Sequence, residues 1–441
     1  MARERAYVDA QLPACITNLN AFHDAGSRRI IADSGDGVNG HFTWVRPLLH
    51  AINGRVDQLQ WHREDGTAPP VAVKRMDPAL VRRNVREDPS EHPPEAARHS
   101  EDSLTEIGVY DMLARDQAAS ETYILKMLSC YEVTLNDLRT EMDEDIWEDT
   151  YGERDEHEFL PGNPIVALVL EFCSGGELMT RIVHGPGERP AQIPLPELRS
   201  YMSQLCEAVW HLHNNNIGHR DISLENILLK PVGVGAHSIA QLMDFGQACQ
   251  LRAADGTPYR YFACVGKRVY RPPEAYIPPQ TSWPVPARKP PGLHTMPQLE
   301  GMELFRPVQA YTNNGYCLQV MFPHAALDAP NGAYVAAWPA GYKVEQLDVF
   351  MIGMCLFLLH TRRLPWGRAM PRDEGFKTVV REHRGQLNGL IQKWATPGAD
   401  VGMLPPRLAR VLSKMTSLDP EQRGRMDEHR TQIIADETWA P

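Results

Sequence analysis

The chain has 441 residues and a formal net charge of −11 at pH 7. With 43 % apolar and 23 % charged residues it has the make-up of a globular chain with a full core, and its length suits two or three small domains or one large two-lobed one. Lysines and arginines form no cluster of the kind a nucleic-acid footprint needs, which excludes that class of partner.

The negative charge is concentrated. Glu141–Glu158, EMDEDIWEDTYGERDEHE, holds ten acids against one base, Arg154, and leaves the rest of the chain close to neutral. Such a run is a solvated loop or a dock for a basic partner. The eight cysteines are scattered with no CxxC pair, so neither a zinc site nor a small disulfide framework is indicated. The N-terminal stretch lacks an apolar signal core. The longest apolar run, Val349–Leu359, is too short to span a bilayer and reads as a buried helix. An intracellular setting, cytoplasmic or nuclear, with no membrane association, is the expectation.

In chain order, the first third alternates apolar runs with glycine and charged breaks, as short strands and turns do. VAVKRM (71–76) reads as a strand. Residues 100–118 read as a helix, with Leu104, Ile107, Met112 and Leu113 near helical spacing and Ser100 or Ser103 as its cap. PIVALVLEF (164–172) is a buried strand. Helices then dominate: residues 195–215 form a long amphipathic one, and residues 406–415 another with proline in its first turn. Strands first and helices later predict an α+β architecture in two lobes.

Four stretches carry chemistry. GDGVNGHF has glycines at 35, 37 and 40, which let a backbone turn tightly and bring its N–H groups to phosphate oxygens. The overlapping stretch HFTWV favours a strand rather than the helix of a dinucleotide site. Lys74 leaves a strand that reads as buried and needs a partner, for which Glu106 on the next helix is placed. HRDISLENILL supplies Asp221, a carboxylate able to orient a hydroxyl and accept its proton, and Asn226, an oxygen ligand for Mg²⁺. DFGQA adds a second carboxylate, Asp244, eighteen residues after Asn226, room for a short hairpin.

Over roughly residues 30 to 430 the chain resembles a eukaryotic protein kinase. GDGVNG, VAVK, EIGVYDML, LVLEFCSGGEL, HRDISLEN, DFG, YRPPE, LDVFMIG and LDPEQR occur in family order. The resemblance implies a two-lobed kinase fold, an N-lobe over 28–172 and a C-lobe over 173–430. An extension over 1–27 and a tail over 431–441 flank them. It implies ATP and Mg²⁺ as cofactors and a protein substrate. Gly35, Gly37 and Gly40, with Phe42, would cover the phosphates. Lys74 would hold them and pair with Glu106. Asp221 would be the base, and Asn226 and Asp244 would hold the metal. Leu170 would back the adenine pocket, the Glu171 and Cys173 backbones would bond adenine, and Ala72 and Leu228 would sandwich it. Glu177 matches a position that contacts ribose or a substrate arginine. Glu274 with Arg423, and Asp348 beneath the catalytic loop, would be structural. Arg220 would clamp a phosphate on the activation segment, at Thr257.

Several features depart from the family. Insertions are expected near 46–68, over 134–162 and over 277–341, the last proline-rich at its start. Serine/threonine kinases have lysine two positions after the catalytic aspartate and threonine after a glycine of the substrate loop. Here Ser223 holds the first position and Lys267 the second. An ammonium on a flexible stem can reach the same spot from either side, so the two groups are expected to have exchanged places, with Lys267 and Ser223 joining the catalytic set. HRDISLEN lacks the Ala/Arg pattern of tyrosine kinases, which favours serine/threonine acceptors. The rivals are an inactive scaffold of the same fold and a small-molecule kinase. YRPPE with Arg423 speaks against the second.

Overall fold

The computed structural model describes residues 29–33, 40–51, 54–63, 65–76, 103–115, 123–134, 164–183, 193–233, 236–252, 254–256, 258–259, 261, 265–276, 294–295, 318–321, 334–338, 342–369, 373–395 and 401–440. The N-lobe is a six-stranded sheet of β1 (Arg29–Asp33), β2 (Gly40–Ala51), β3 (Gly54–Arg63), β4 (Pro70–Met76), β5 (Met127–Thr134) and β6 (Pro164–Glu171). Their order is β1-β5-β6-β4-β3-β2, and every neighbouring pair is antiparallel. β4 and β6 lie mid-sheet with Val71, Val73, Val166, Leu168 and Val169 fully buried, which is why both read as apolar runs rather than alternating ones. Helix α1 (Ser103–Arg115) packs against β1 and β5. The Ser103 hydroxyl is buried and has no hydrogen-bond partner among the described residues, so it does not cap this helix. Ser100 lies outside the described residues.

The C-lobe gathers α2 (Leu195–Asn214), α3 (Val344–Thr361), α4 (Glu374–His383), α5 (Leu387–Trp394), α6 (Pro406–Met415) and α7 (Met426–Ile434). α3 is long and apolar enough to cross a membrane, but it is 89 % buried at the centre of the lobe and packs on α2 and α6. After α2 come four short strands, β7 (Ile217–Gly218), β8 (Ile227–Lys230), β9 (Ile239–Leu242) and β10 (Cys249–Gln250). They pair as β8 with β9 and β7 with β10. The loops between them carry HRDISLEN and DFG.

The structure corrects two expected boundaries. Residues 46–63 are not an insertion: they complete the β2–β3 hairpin, whose register runs from Gly40↔Arg63 to Ala51↔Gly54 with shifts between Trp44 and Arg46 and between Pro47 and Leu49. Residues 431–441 are not a loose tail either. α7 runs to Ile434, Ile433 is fully buried, and the Trp439 indole N–H donates to Ile433 O at 2.7 Å. Within 277–341, β11 (His294–Thr295), β12 (Leu318–Met321) and β13 (Tyr334–Trp338) form a small sheet in the order β11-β13-β12. The extension 1–27 and the acidic run lie outside the described residues.

One polar cluster ties the C-lobe together. Arg423, 0 % exposed, meets Glu274 through both guanidinium arms, Nη2 to Oε2 at 3.0 Å. Its Nε donates to Ser417 O at 2.7 Å and Nη1 to Gln346 O at 3.2 Å. Its own carbonyl accepts from His429, itself fully buried. Removing one partner of such a pair leaves an uncompensated buried charge. Arg423→Ala should therefore lower unfolding free energy by about 3–5 kcal/mol in urea titrations. Burial holds the His429 and His360 imidazoles below their ordinary value. A histidine depressed in the folded state binds its proton more readily when unfolded. Stability from these two is therefore complete above the ordinary imidazole range and is lost as pH falls through it. Urea midpoints should drop as pH is lowered from about 7.5 to about 5.5, across the ordinary imidazole range, and His360→Gln with His429→Gln should flatten that drop.

Candidate active site

Lys74 and Glu106 meet as the sequence implies. Lys74 Nζ donates to Glu106 Oε2 at 2.5 Å, with both residues buried, at 7 % and 3 % exposure. Their position is fixed from the C-lobe side. Tyr110, one helical turn beyond Glu106, sets its ring edge-on to Phe245 at 5.0 Å, and Phe245 rests on His219 at 5.2 Å. The His219 and Arg220 N–H groups both donate to Asp348, at 2.9 Å each. Asp348 lies on α3, is fully buried, and also receives His213 from α2 at 2.9 Å. Its structural role under the catalytic loop stands as expected.

The catalytic loop is held in a strained shape. Arg220 and Asp244 are non-glycine residues with φ of 67° and 68°, a conformation that persists only where the surroundings impose it. For Arg220 these are Asp348, the Gln247 carbonyl that accepts from its Nε, and the Tyr261 ring 5.2 Å from its guanidinium. The guanidinium expected to clamp a phosphate thus faces an aromatic ring. Thr257 lies outside the described residues.

Asp221 is the focus of the site. Its Oδ2 accepts from Asn226 Nδ2 at 2.9 Å, and its Oδ1 accepts from the Lys267 backbone N–H at 3.0 Å. Lys267 Nζ donates to Ser223 Oγ and to Asn226 Oδ1, both at 2.8 Å, and stands 3.8 Å from Asp221 Oδ2. The ammonium and the hydroxyl therefore touch beside the base, as the exchange requires. Burial pushes the Asp221 carboxyl above the usual range; Lys267 opposes this and Asp244 adds to it. A raised value suits a group that must take a proton and give it up again.

Gly266 makes the approach of Lys267 possible. It sits at φ +79°, and a Cβ there would lie 2.7 Å from Met351 Cε and 2.8 Å from Arg220 O. Its N–H donates to Gln247 Oε1 at 2.7 Å. Gln247, just past DFG, is a site residue that the motifs alone do not single out. Tyr270, the first residue of YRPPE, has a hydroxyl that accepts from Leu224 N at 3.2 Å and donates to Glu225 at 3.0 Å.

The metal ligands divide. Asp244 Oδ1 accepts one long bond from Gly246 N, 3.3 Å, and stands near enough to Asp221 to raise its pKa. A carboxylate so lightly bonded suits a divalent ion, whose other ligands would be phosphate oxygens. Asn226 offers less, because its oxygen already accepts the Lys267 ammonium. Among the described residues no three His, Cys, Asp or Glu side chains converge into an all-protein metal cluster.

The adenine-pocket residues come together. Ala72 pairs with Leu170 across β4 and β6, and Glu177 bridges Leu228. Beyond Cys173 the chain stays tied to β8 through Gly175 N to Leu229 O at 2.9 Å and Leu229 N to Gly176 O at 2.8 Å. Cys173 Sγ donates to Gln241 at 2.8 Å, and Gln241 donates to Glu171 at 2.6 Å. Burial lifts the Cys173 thiol to about 12, so it is a packed group rather than a reactive one. Glu177 has its carboxyl raised by burial and by Glu225.

The phosphate loop is the main correction. The strands flanking Gly35 and Gly37, β1 and β2, lie at opposite edges of the sheet and make no hairpin; the two glycines themselves lie outside the described residues. Gly40 and Phe42 pair with Arg63 and Trp61 at the open end of the β2–β3 hairpin. At about 3.3 Å per residue, Gly40 is roughly 35 Å along β2 from the turn. The turn itself joins Ala51 to Gly54. Because Gly54 pairs with Met76 and Val56 with Lys74, this turn, not GDGVNG, is the one beside the Lys74 end of β4. The glycine pattern misleads because its spacing is common in any turn-rich segment, and residues 51–54 hold a single glycine.

Comparison with known proteins agrees with this layout. A family profile for the protein kinase domain matches residues 112–282. CBL-interacting serine/threonine-protein kinase 26 of Arabidopsis thaliana is 33 % identical over 118 residues, 27 % of this chain and 24 % of that protein. Serine/threonine-protein kinase Nek3 of Mus musculus is 34 % identical over 111 residues, 25 % of this chain and 19 % of that protein. Calcium-dependent protein kinase 6 of Plasmodium berghei is 31 % identical over 109 residues, 25 % of this chain and 7 % of that protein. The matched part is thus under a quarter of each relative's length. Residues 112–282 thus match the protein kinase domain, and the Lys74–Glu106 pair and the Asp221 centre are arranged as the kinase resemblance implies.

Proposed function

We propose that the chain is an active protein kinase that transfers the γ-phosphoryl group of ATP to serine or threonine hydroxyls of a protein substrate. The observation that carries this reading is the Asp221 centre, where base, Asn226, Ser223 and Lys267 form one hydrogen-bonded unit. It is supported by a formed Lys74–Glu106 pair and a packed Phe245.

In this mechanism Lys74, held by Glu106, binds the α- and β-phosphates. Asp244 would hold Mg²⁺, which would supply neutralising charge to the phosphates while ADP leaves with the β,γ-bridging oxygen. Asp221 keeps one lone-pair direction on its carboxylate for the acceptor hydroxyl, orients it in line, and takes its proton as the new O–P bond forms. Lys267 directs its ammonium at the γ-phosphate oxygens from the substrate-loop side. Ala72, Leu170 and Leu228 enclose adenine, and the Glu171 and Cys173 backbones bond its edge.

A second reading, a scaffold that binds nucleotide without transfer, is favoured by one observation: the ammonium on Asn226, a residue expected to hold metal. Labelled ATP, Mg²⁺ and a mixed peptide library separate the two. Label should appear on serine and threonine in wild type and disappear in Asp244→Asn. Nucleotide binding without label in either protein would favour the scaffold. Lys267→Met should lower kcat on the order of 10²-fold, the scale of losing one preorganised donor to a developing anion. An unchanged kcat would remove Lys267 from the mechanism.

A further inference from the structure

The contact between Lys267 and Asn226 bears on metal stoichiometry. Lys267 Nζ lies 2.8 Å from Asn226 Oδ1. The other end of that amide is also committed: Nδ2 donates to the Asp221 carbonyl and to Asp221 Oδ2, both at 2.9 Å. Turning the amide over would set N–H groups against the ammonium and lose both bonds, so the network fixes which atom is the oxygen.

A divalent ion bound to the same oxygen would sit at about 2.1 Å from it. With the ammonium at 2.8 Å on the other lone pair, the two cations would be about 4 Å apart, and repulsion at that range is strong in a partly desolvated site. The lysine backbone cannot withdraw. Its N–H is bonded to Asp221 Oδ1 at 3.0 Å, the preceding Gly266 donates to Gln247 at 2.7 Å, and Arg271 Nε donates to Gly266 O at 2.6 Å. Ser223 completes the arrangement. Its short side chain accepts the ammonium at 2.8 Å and brings no second cation to the same corner.

We propose that the Lys267 ammonium occupies the place of a second divalent cation at Asn226, so that the centre works with a single divalent ion, held by Asp244. The inference rests on the proposed kinase function. It makes Asn226 a positioning residue that holds Asp221 and Lys267, and it gives the phosphate site one charge that no chelator can remove.

The test counts ions. The full chain is saturated with a non-hydrolysable ATP analogue and titrated with Mn²⁺, and bound Mn²⁺ is read by electron paramagnetic resonance. Wild type is expected to bind one Mn²⁺ per nucleotide, and Lys267→Met two. Two ions in wild type would overturn the inference, as would one ion in a folded Lys267→Met. If that variant does not fold, the wild-type count still decides. One ion bound without any phosphotransfer would uphold the inference while removing the catalytic reading. Absence of nucleotide binding would overturn both.

Discussion

The Asp348 carboxylate is the point from which the site is built. It is fully buried on the central helix α3 and accepts from His219 N, Arg220 N and His213. A buried carboxylate must be matched by donors or it costs several kcal/mol (roughly, from the effective penalty per buried ion). That requirement holds the catalytic loop in the left-handed turn at Arg220. From there an unbroken series of contacts crosses the lobes: His219 under Phe245, Phe245 under Tyr110, Tyr110 one turn from Glu106, and Glu106 on Lys74. Each step is a packing or charge contact that constrains the next. A change in α3 would therefore be felt at Lys74, in the other lobe.

The second dependence is chemical. A serine at 223 alone would leave the catalytic loop short of one cation. The structure brings the Lys267 ammonium to Ser223 from the substrate loop, where Gly266 lets the backbone come within contact of Arg220 O and Met351. The cost of the exchange is an ammonium on the Asn226 oxygen. Position 223 and position 267 thus act as one unit, and either residue is hard to interpret without the other. Arg220 shows a similar substitution of partners. Its guanidinium faces the Tyr261 ring and the Gln247 carbonyl, both on the segment that follows DFG.

Much of this is legible in the chain. β4, β6, α2, α3 and α6 lie within a few residues of their expected spans, because each is a long apolar or periodic run whose burial leaves little choice. Lys74 with Glu106, Glu274 with Arg423, and the contact of Lys267 with Ser223 follow from residue types that need partners at positions the motifs put in order. The glycine loop does not. GDGVNG satisfies a local pattern, but which strands pair is decided by long-range register, and that register sends β1 and β2 to opposite edges of the sheet. Residues 46–63 read as an insertion for the same reason: a hairpin of alternating polar and apolar residues at a sheet edge carries a weak signal. Residues 431–441 read as a tail because nothing local announces that Trp439 will be buried.

The amino-acid sequence by itself determined the resemblance to protein kinases, the two-lobed α+β class and the identity of the groups that carry charge at the centre. Those depend on local residue type and on order along the chain. Tertiary structure alone decided which turn lies beside Lys74, and that the Lys267 ammonium rests on the Asn226 oxygen as well as on Ser223. Both are distances between segments far apart in the chain, forty-one residues in the second case. Such distances are set by sheet register and by the packing around Gly266, neither of which is written in any one stretch.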